Sequence, residues 1–413
     1  MKLIKTTVYI LLFAGAALSI FLTYYKKSDL LSISPVENIL AGVFFIDSIT
    51  ETQLKTTYTL TKKEQDKLNI LIVPGHDENV WGAQFNYIKE AELNTELAED
   101  LKNFLEKENG FNIFLARDNN GYNPLLLNYF NENREDIIQF ANQYKTMMNT
   151  AVQIGLVETS NTVEHNVASE ETVIKLYGIN KWTNENNIDI VINIHFNDYP
   201  GRRYDQRGKY SGFAIYVPES QYSNSKASLA LAQPVFNQLK KYLPVSNMPK
   251  EKNGIIEDQE LIAIGANNSL DTAVLFIEYG YIYESQFTNK NIRKVALEEA
   301  AYQTYLGIKN FFEGEKNFLT QQYETLNKSY SWIDNLNKGL RGNKDVFALQ
   351  LALAQSEVYP PKMLSKNDCP INGNFGKCTN EAVMEFQKKY NIEPPFGFVG
   401  PITREKLNSL YSN

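Results

Sequence analysis

The chain reads as an α/β fold: a largely parallel or mixed central sheet flanked by helices, then a small all-α three-helix domain at the C-terminus. Three observations predict it. Between residues 68 and 312, short apolar runs alternate with helix-length amphipathic stretches, the order of βαβ units. The runs 68–73 and 188–195 are rich in β-branched residues with little alternation, as strands packed on both faces require. Beyond residue 344 the apolar spacing is helical, as at Val346, Leu349 and Leu353.

The 413 residues suffice for two or three domains, and a hydrophobic content of 43% supports real cores. A net charge of −7 argues against nucleic acid as the main partner, because phosphate binding needs a basic surface. It leaves small and sugar-based substrates open.

Lys2 and Lys5 precede an apolar run over 6–25, which Lys26 and Lys27 close. About 20 apolar residues cross a bilayer. The run continues past Ala14-Gly15-Ala16, the segment most like a cleavage site. Residues 1–27 are therefore expected to be an uncleaved signal anchor, a transmembrane helix with the rest of the chain outside the cytoplasm. Residues 28–66 lack periodicity and read as a stalk. Cys369 and Cys378 suit an oxidising compartment as a disulfide. Half of a zinc site is the alternative, and no further cysteine supports it.

The first domain spans 67–313. A strand over 68–73 leads through Pro74-Gly75 to His76, and a helix covers 89–107. A second strand, 111–116, ends at Arg117-Asp118. An insertion over 118–169 opens with Asn119-Asn120-Gly121, which is turn chemistry, and contains a helix near 134–154. Then come a helix (170–184), a strand (188–195), a strand (211–217), a helix (225–242), a strand (272–277) and a helix (292–312). Residues 314–343 read as a linker and 344–413 as a separate module.

In open α/β sheets chemistry sits beyond the carboxyl ends of the strands. The chain has only 3 histidines, and His76 and His195 both end strands, as does Glu278. Glu90 falls on the apolar stripe of Leu93, Leu97, Leu101 and Phe104, whereas Glu92, Glu96 and Glu99 point away. A buried carboxylate needs a partner, and a metal supplies one. The helix N-terminal dipole is the other explanation. His76, Glu90 and His195 are thus candidate zinc ligands, and Glu278 is a candidate general base. A structural salt bridge is the alternative for Glu278. His165, inside the polar insertion, reads as a surface or loop histidine.

Four segments carry a resemblance: Pro74-Gly75-His76, Glu90-Ala91-Glu92-Leu93-Asn94, His195-Phe196-Asn197 and Ile277-Glu278-Tyr279-Gly280. Over 68–312 the chain resembles the zinc-dependent N-acetylmuramoyl-L-alanine amidases of bacterial walls. That resemblance implies zinc on His76, Glu90 and His195, with Glu278 catalytic. It implies hydrolysis of the amide joining the muramic lactyl group to L-alanine of the stem peptide. Arg117 matches an arginine the family often carries, with an ion pair to Asp118 as the structural alternative. The family's Gly-Gly-x-Asp-x-Gly continuation is replaced over 77–83, where only Gly82-Ala83 remains. Some members place a helix in the insertion over the zinc until an activator removes it; a wall of the binding groove is the reading preferred here.

The run Asn372-Gly373-Asn374-Phe375-Gly376, then Thr379 as an N-cap, Ala382-Val383, Phe386-Gln387 and Val399-Gly400-Pro401-Ile402-Thr403, resembles a three-helix peptidoglycan-binding module. It implies peptidoglycan as a partner. Two rivals are a zinc carboxypeptidase on wall peptides and a non-catalytic wall-binding scaffold. Against the first, Asn79 stands where its His-x-x-Glu pair needs a glutamate. Against the second, all four catalytic candidates are present.

Overall fold

The computed structural model describes residues 49–61, 67–159, 163, 165, 167–265, 269, 272–314 and 330–412. The expected anchor over 1–27 lies outside these residues. Among the described residues no helix is long and apolar enough to cross a membrane.

The central sheet has six strands: β1 (Leu68–Pro74), β2 (Phe111–Leu115), β3 (Ile190–Asn197), β4 (Ala214–Pro218), β5 (Ile255–Asp258) and β6 (Ala273–Tyr281). Their order is β2-β1-β3-β6-β4-β5. β2, β1, β3 and β6 run parallel, β4 is antiparallel to β6, and β5 is parallel to β4. The sheet is therefore mixed. The edge strand β5 escapes sequence reading because four residues after a glycine carry little pattern.

The helices are α1 (Glu51–Thr61), α2 (Glu90–Leu105), α3 (Pro124–Glu132), α4 (Arg134–Gln153), α5 (Glu170–Glu185), α6 (Ser225–Tyr242) and α7 (Arg293–Glu313). Leu93, Leu97 and Leu101 of α2, Leu231, Val235 and Leu239 of α6 and Leu297, Ala301 and Ile308 of α7 join Ile70, Ile72, Ile192, Ile194, Leu275 and Ile277 in one core. Each side chain removed from water there contributes about 1.5–3 kcal/mol before chain entropy is set against it. On the other face, Trp182 of α5 meets Phe114 of β2, with ring centroids 6.0 Å apart.

Part of the expected stalk belongs to this core. α1 buries only Leu54 and Tyr58, an i, i+4 pair, and Tyr58 packs on Phe111 and Phe312. Two anchors on an otherwise polar helix leave almost no periodicity to read. In the insertion, Asn123 accepts a hydrogen bond from the Leu125 amide and Pro124 opens α3. α4 buries Ile137, Ala141, Tyr144, Met147 and Ala151. It packs beside α5, where Phe140 meets Tyr177 and Arg134 pairs with Glu171.

The C-terminal module contains α8 (Lys344–Gln355), α9 (Lys377–Lys389) and α10 (Pro401–Tyr411). Trp332 and Leu336, expected in a linker, are buried in its core. Cys369 and Cys378 form the expected disulfide. Thr379 is not the N-cap of α9; Gly376 holds that position. Thr379 instead lies inside the first turn, where it accepts from the buried Gln350 amide. The module shares its core with Tyr242, Ile292 and Ala296 of the larger domain, so the two pack together.

Candidate metal centre

Three elements meet at one edge of the sheet. β1 ends at Pro74, and Gly75 continues its pairing by donating to the Ile194 carbonyl at 2.9 Å. The chain then turns at His76, whose φ of 63° is left-handed, a conformation that is uncommon without glycine. That turn aims the imidazole back at α2. Glu90 is the first residue of α2 and is 3% exposed.

His76 Nε2 lies 3.1 Å from Glu90 Oε2, and His195 Nδ1 lies 3.0 Å from Glu90 Oε1. The imidazoles meet edge-on with centroids 5.1 Å apart. One ligand atom from each of His76, Glu90 and His195 falls within 4.8 Å of the others. The donor set is two imidazole nitrogens and one carboxylate oxygen, with no fourth protein donor converging among the described residues. That set fits zinc in a site with an open position.

Backbone hydrogen bonds hold the set. Glu90 Oε2 accepts from the Ala83 amide at 2.7 Å, and Oε1 accepts from the Phe196 amide at 3.2 Å. Asn94 donates to the Gly75 carbonyl at 2.9 Å. The buried Arg117 donates to the carbonyls of Pro74, Gly75 and Ala91 at 3.1, 2.6 and 2.9 Å. Its guanidinium thus clamps the end of β1 to the start of α2, rather than pairing with Asp118. Phe276 stacks on the His195 ring at 4.1 Å.

Burial opposes charge on all of these groups, and the carboxylate decides between them. Burial lowers the His76 pKa, but the Glu90 charge and hydrogen bond outweigh it and hold the imidazole above its ordinary value. For His195 burial wins, and its pKa falls despite Glu90. Burial would raise Glu90, yet the two imidazoles pull it well below the usual carboxylate range.

Glu278 lies beside His195 in the register of β6 against β3. The strand does not stop there, as the sequence implied. It runs on to Tyr281 through an irregularity after Glu278, with Gly280 at a φ of 150°. Burial first, then the negative charges of Glu90 and Glu251, push the Glu278 pKa well above the ordinary range. Its Oε2 is buried and has no hydrogen-bond partner among the described residues.

Glu251 was missed by sequence reading. It is 1% exposed and accepts from Tyr216 at 2.6 Å, Asn197 at 2.8 Å and Tyr281 at 3.2 Å, as well as from Ser246. These donors come from β4, β3, β6 and a loop, so no local pattern announces them. His165 lies outside any helix or strand, as the loop reading expected, but it has a partner that the sequence did not show. Its Nε2 lies 2.7 Å from the buried Asp258 Oδ2, and the histidine is half-buried.

A family model described as N-acetylmuramoyl-L-alanine amidase matches residues 70–310. The chain belongs to this family. A second model, described as a peptidoglycan binding domain, matches residues 342–407 of the chain. No curated protein sequence matches the chain. Among solved structures, an N-acetylmuramoyl-L-alanine amidase from Clostridium difficile 630 is 15% identical, with a TM-score of 0.39 over 60% of this chain and 99% of the other. The CwlD amidase of Clostridioides difficile, in complex with the GerS lipoprotein, is 16% identical with a TM-score of 0.39, covering 60% and 99%. The amidase AmiC2 of Nostoc punctiforme is 16% identical with a TM-score of 0.36, covering 60% and 98%.

Proposed function

We propose that this chain is a zinc-dependent N-acetylmuramoyl-L-alanine amidase that hydrolyses the amide between the muramic lactyl group and L-alanine of the stem peptide. The observation that carries the reading is the convergence of His76, Glu90 and His195 beside Glu278, in a chain of this family. His76, Glu90 and His195 would hold the metal, and zinc bound there would supply a Lewis acid for the carbonyl oxygen and lower the pKa of water to about 7.

Glu278 moves the protons. Its free, buried Oε2 takes a proton from the attacking water and returns it to the leaving nitrogen. Burial and the neighbouring negative charges raise the pKa of this carboxyl, so once it has taken the proton it holds it more firmly than an exposed carboxylate would until the leaving nitrogen receives it. The C-terminal module keeps the enzyme on peptidoglycan, which raises the local substrate concentration. The N-terminal apolar segment anchors the enzyme to the membrane with its catalytic part outside the cytoplasm; protease accessibility in intact cells tests that placement.

The decisive experiment is Glu278→Gln assayed on purified wall, with stem peptides identified by mass. Loss of about 10²–10⁴-fold in rate with zinc content unchanged is expected. A variant within tenfold of the parent removes Glu278 from the chemistry. Release of single amino acids instead of intact stem peptides would replace the amidase with a peptidase.

A further inference from the structure

Two carboxylates beside the candidate ligand set share their surroundings unequally. Glu251 Oε1 accepts from Tyr216 at 2.6 Å and from Asn197 at 2.8 Å, and Oε2 accepts from Ser246 and from Tyr281 at 3.2 Å. Two donors on each oxygen fill the acceptor sites of a carboxylate. Glu278 Oε2, also buried, accepts from no group among the described residues.

The sheet sets these donors around Glu278. In β6 it stands opposite His195 of β3 on one side and Ala214 of β4 on the other. Side chains two residues apart on a strand share a face, so Asn197 and Tyr216 lie on the same face as Glu278, on its two neighbouring strands. Tyr281 comes just after Glu278 and pairs with Asn197 across the irregularity. Burial, then the charge and hydrogen bond of Glu251, then the charge of Glu278 push the Tyr216 pKa up, so this phenol is within electrostatic reach of both carboxylates.

Donors so placed have two acceptors to choose from. A hydroxyl bound to Glu278 Oε2 would occupy a lone pair that has to take a proton from water, and would hold the carboxylate turned toward its strand neighbour. Glu251 takes the donors instead. Its loop is fixed, because its amide donates to the Met248 carbonyl at 2.9 Å and its own carbonyl accepts from the Gly254 amide at 2.8 Å. Buried away from water, its carboxylate depends on protein donors alone and holds all four.

We propose that Glu251 is a positioning residue for the hydrolysis: it draws off the donors of Tyr216, Asn197, Tyr281 and Ser246, and so leaves the Glu278 carboxylate unpartnered and free to meet the attacking water. This rests on the amidase reading, in which Glu278 moves the protons.

The test is Glu251→Gln in the full chain, assayed on a soluble muramoyl peptide. A glutamine side chain has a single acceptor oxygen and donates from its nitrogen, so it cannot hold four donors. The displaced Tyr216 hydroxyl then turns to Glu278. We expect kcat to fall about 10–100-fold with KM and zinc content unchanged. Adding Tyr216→Phe removes that hydroxyl and should recover about fivefold or more of the loss. A merely structural Glu251 predicts the reverse, a second loss on top of the first. Should Glu251→Gln not fold, Glu251→Asp takes its place, since the shorter side chain cannot reach all four donors, and the same relief by Tyr216→Phe is expected. A crystal structure of the folded variant reads the switch directly, as Tyr216 Oη within about 3 Å of Glu278 Oε2. If the parent does not cleave the lactyl amide, the amidase reading fails, while that structure still decides where the hydroxyl goes. A Glu251→Gln rate within about threefold of the parent, no relief by Tyr216→Phe, or a Tyr216 hydroxyl that stays away from Glu278 overturns the proposal.

Discussion

Gly75→Ala tests the geometry of the metal centre without touching a ligand. A Cβ built on Gly75 would lie 2.0 Å from His195 Cε1, 2.2 Å from Nε2 and 2.6 Å from Nδ1. Carbon atoms in contact sit about 3.5–4.0 Å apart, so the ring must retreat by about 1.5 Å or the backbone must yield. The backbone is pinned. The Gly75 amide donates to Ile194, and its carbonyl accepts from both Asn94 and Arg117. The ring must therefore move, although Phe276 stacks against it. Zinc–nitrogen distances tolerate only about 0.2 Å, so a shift of this size removes His195 from any shared ion. Zinc affinity should fall at least 100-fold, measured by competition with a chromogenic chelator, and wall hydrolysis should fall with it. Stability should drop by about 1–3 kcal/mol, the cost of one overpacked methyl. A Gly75→Ala protein that binds zinc within threefold of the parent and lyses walls at the parental rate would refute the assignment of His195 as a ligand.

Three further outcomes are expected. Arg117→Met leaves three buried carbonyls without their shared donor, which should cost about 3 kcal/mol in urea unfolding; a loss under about 1 kcal/mol would show the clamp to be dispensable. Replacing Cys369 and Cys378 together by serine releases a closure of sequence separation 9, worth about 2.5 kcal/mol of chain entropy, and should lower stability by that order while leaving the rate on a small soluble muramoyl peptide unchanged. On α2, burial and then the Glu298 charge push the Asp100 pKa up to about 6, so the folded protein takes up a proton there more readily than the unfolded chain. That carboxyl disfavours folding above about pH 6 and not below about pH 4, so Asp100→Asn should stabilise the protein at pH 7.5, by about 1 kcal/mol or less after solvent screening, and not at pH 3.5, as read by urea unfolding. An equal effect at both pH values would exclude the charge as its cause.

The parts of the site visible in the sequence are those fixed by local periodicity. His76 and His195 stand out because each follows a β-branched run, and Glu90 because a helix of 3.6 residues per turn puts it on the leucine stripe. Their convergence needed only the rule that strand ends share one edge. Glu251, the Asp258 partner of His165 and the carbonyl partners of Arg117 were not visible. Each depends on contacts between residues far apart in the chain, and polar loops carry no period from which to read them. Thr379 shows the opposite failure. A threonine ahead of an apolar helical run is a sound N-cap signal, but Gln350 from another helix competes for its hydroxyl and draws it inside the first turn. α1 was lost for lack of signal, since two buried side chains stabilise a helix that its own sequence scarcely marks.

The departures from the family pattern over 77–83 gain meaning from where they sit. Asp77, Glu78 and Trp81 line a cleft beside the ligand set, whereas Gly82 touches the set itself. A Cβ on Gly82 would lie 2.3 Å from Glu90 Oε2 and 2.4 Å from His76 Cδ2, and its φ of +72° already disfavours any other residue. Ala83 holds Glu90 through its amide, a bond that depends on backbone position and not on side chain. The two family residues that persist are thus the two that the metal geometry requires. Of those that changed, Asp77, Glu78 and Trp81 line the cleft. Glu90 is held by the amides of Ala83 and Phe196, which no rim side chain supplies, so the rim positions other than Arg117 can change without disturbing His76, Glu90 or His195.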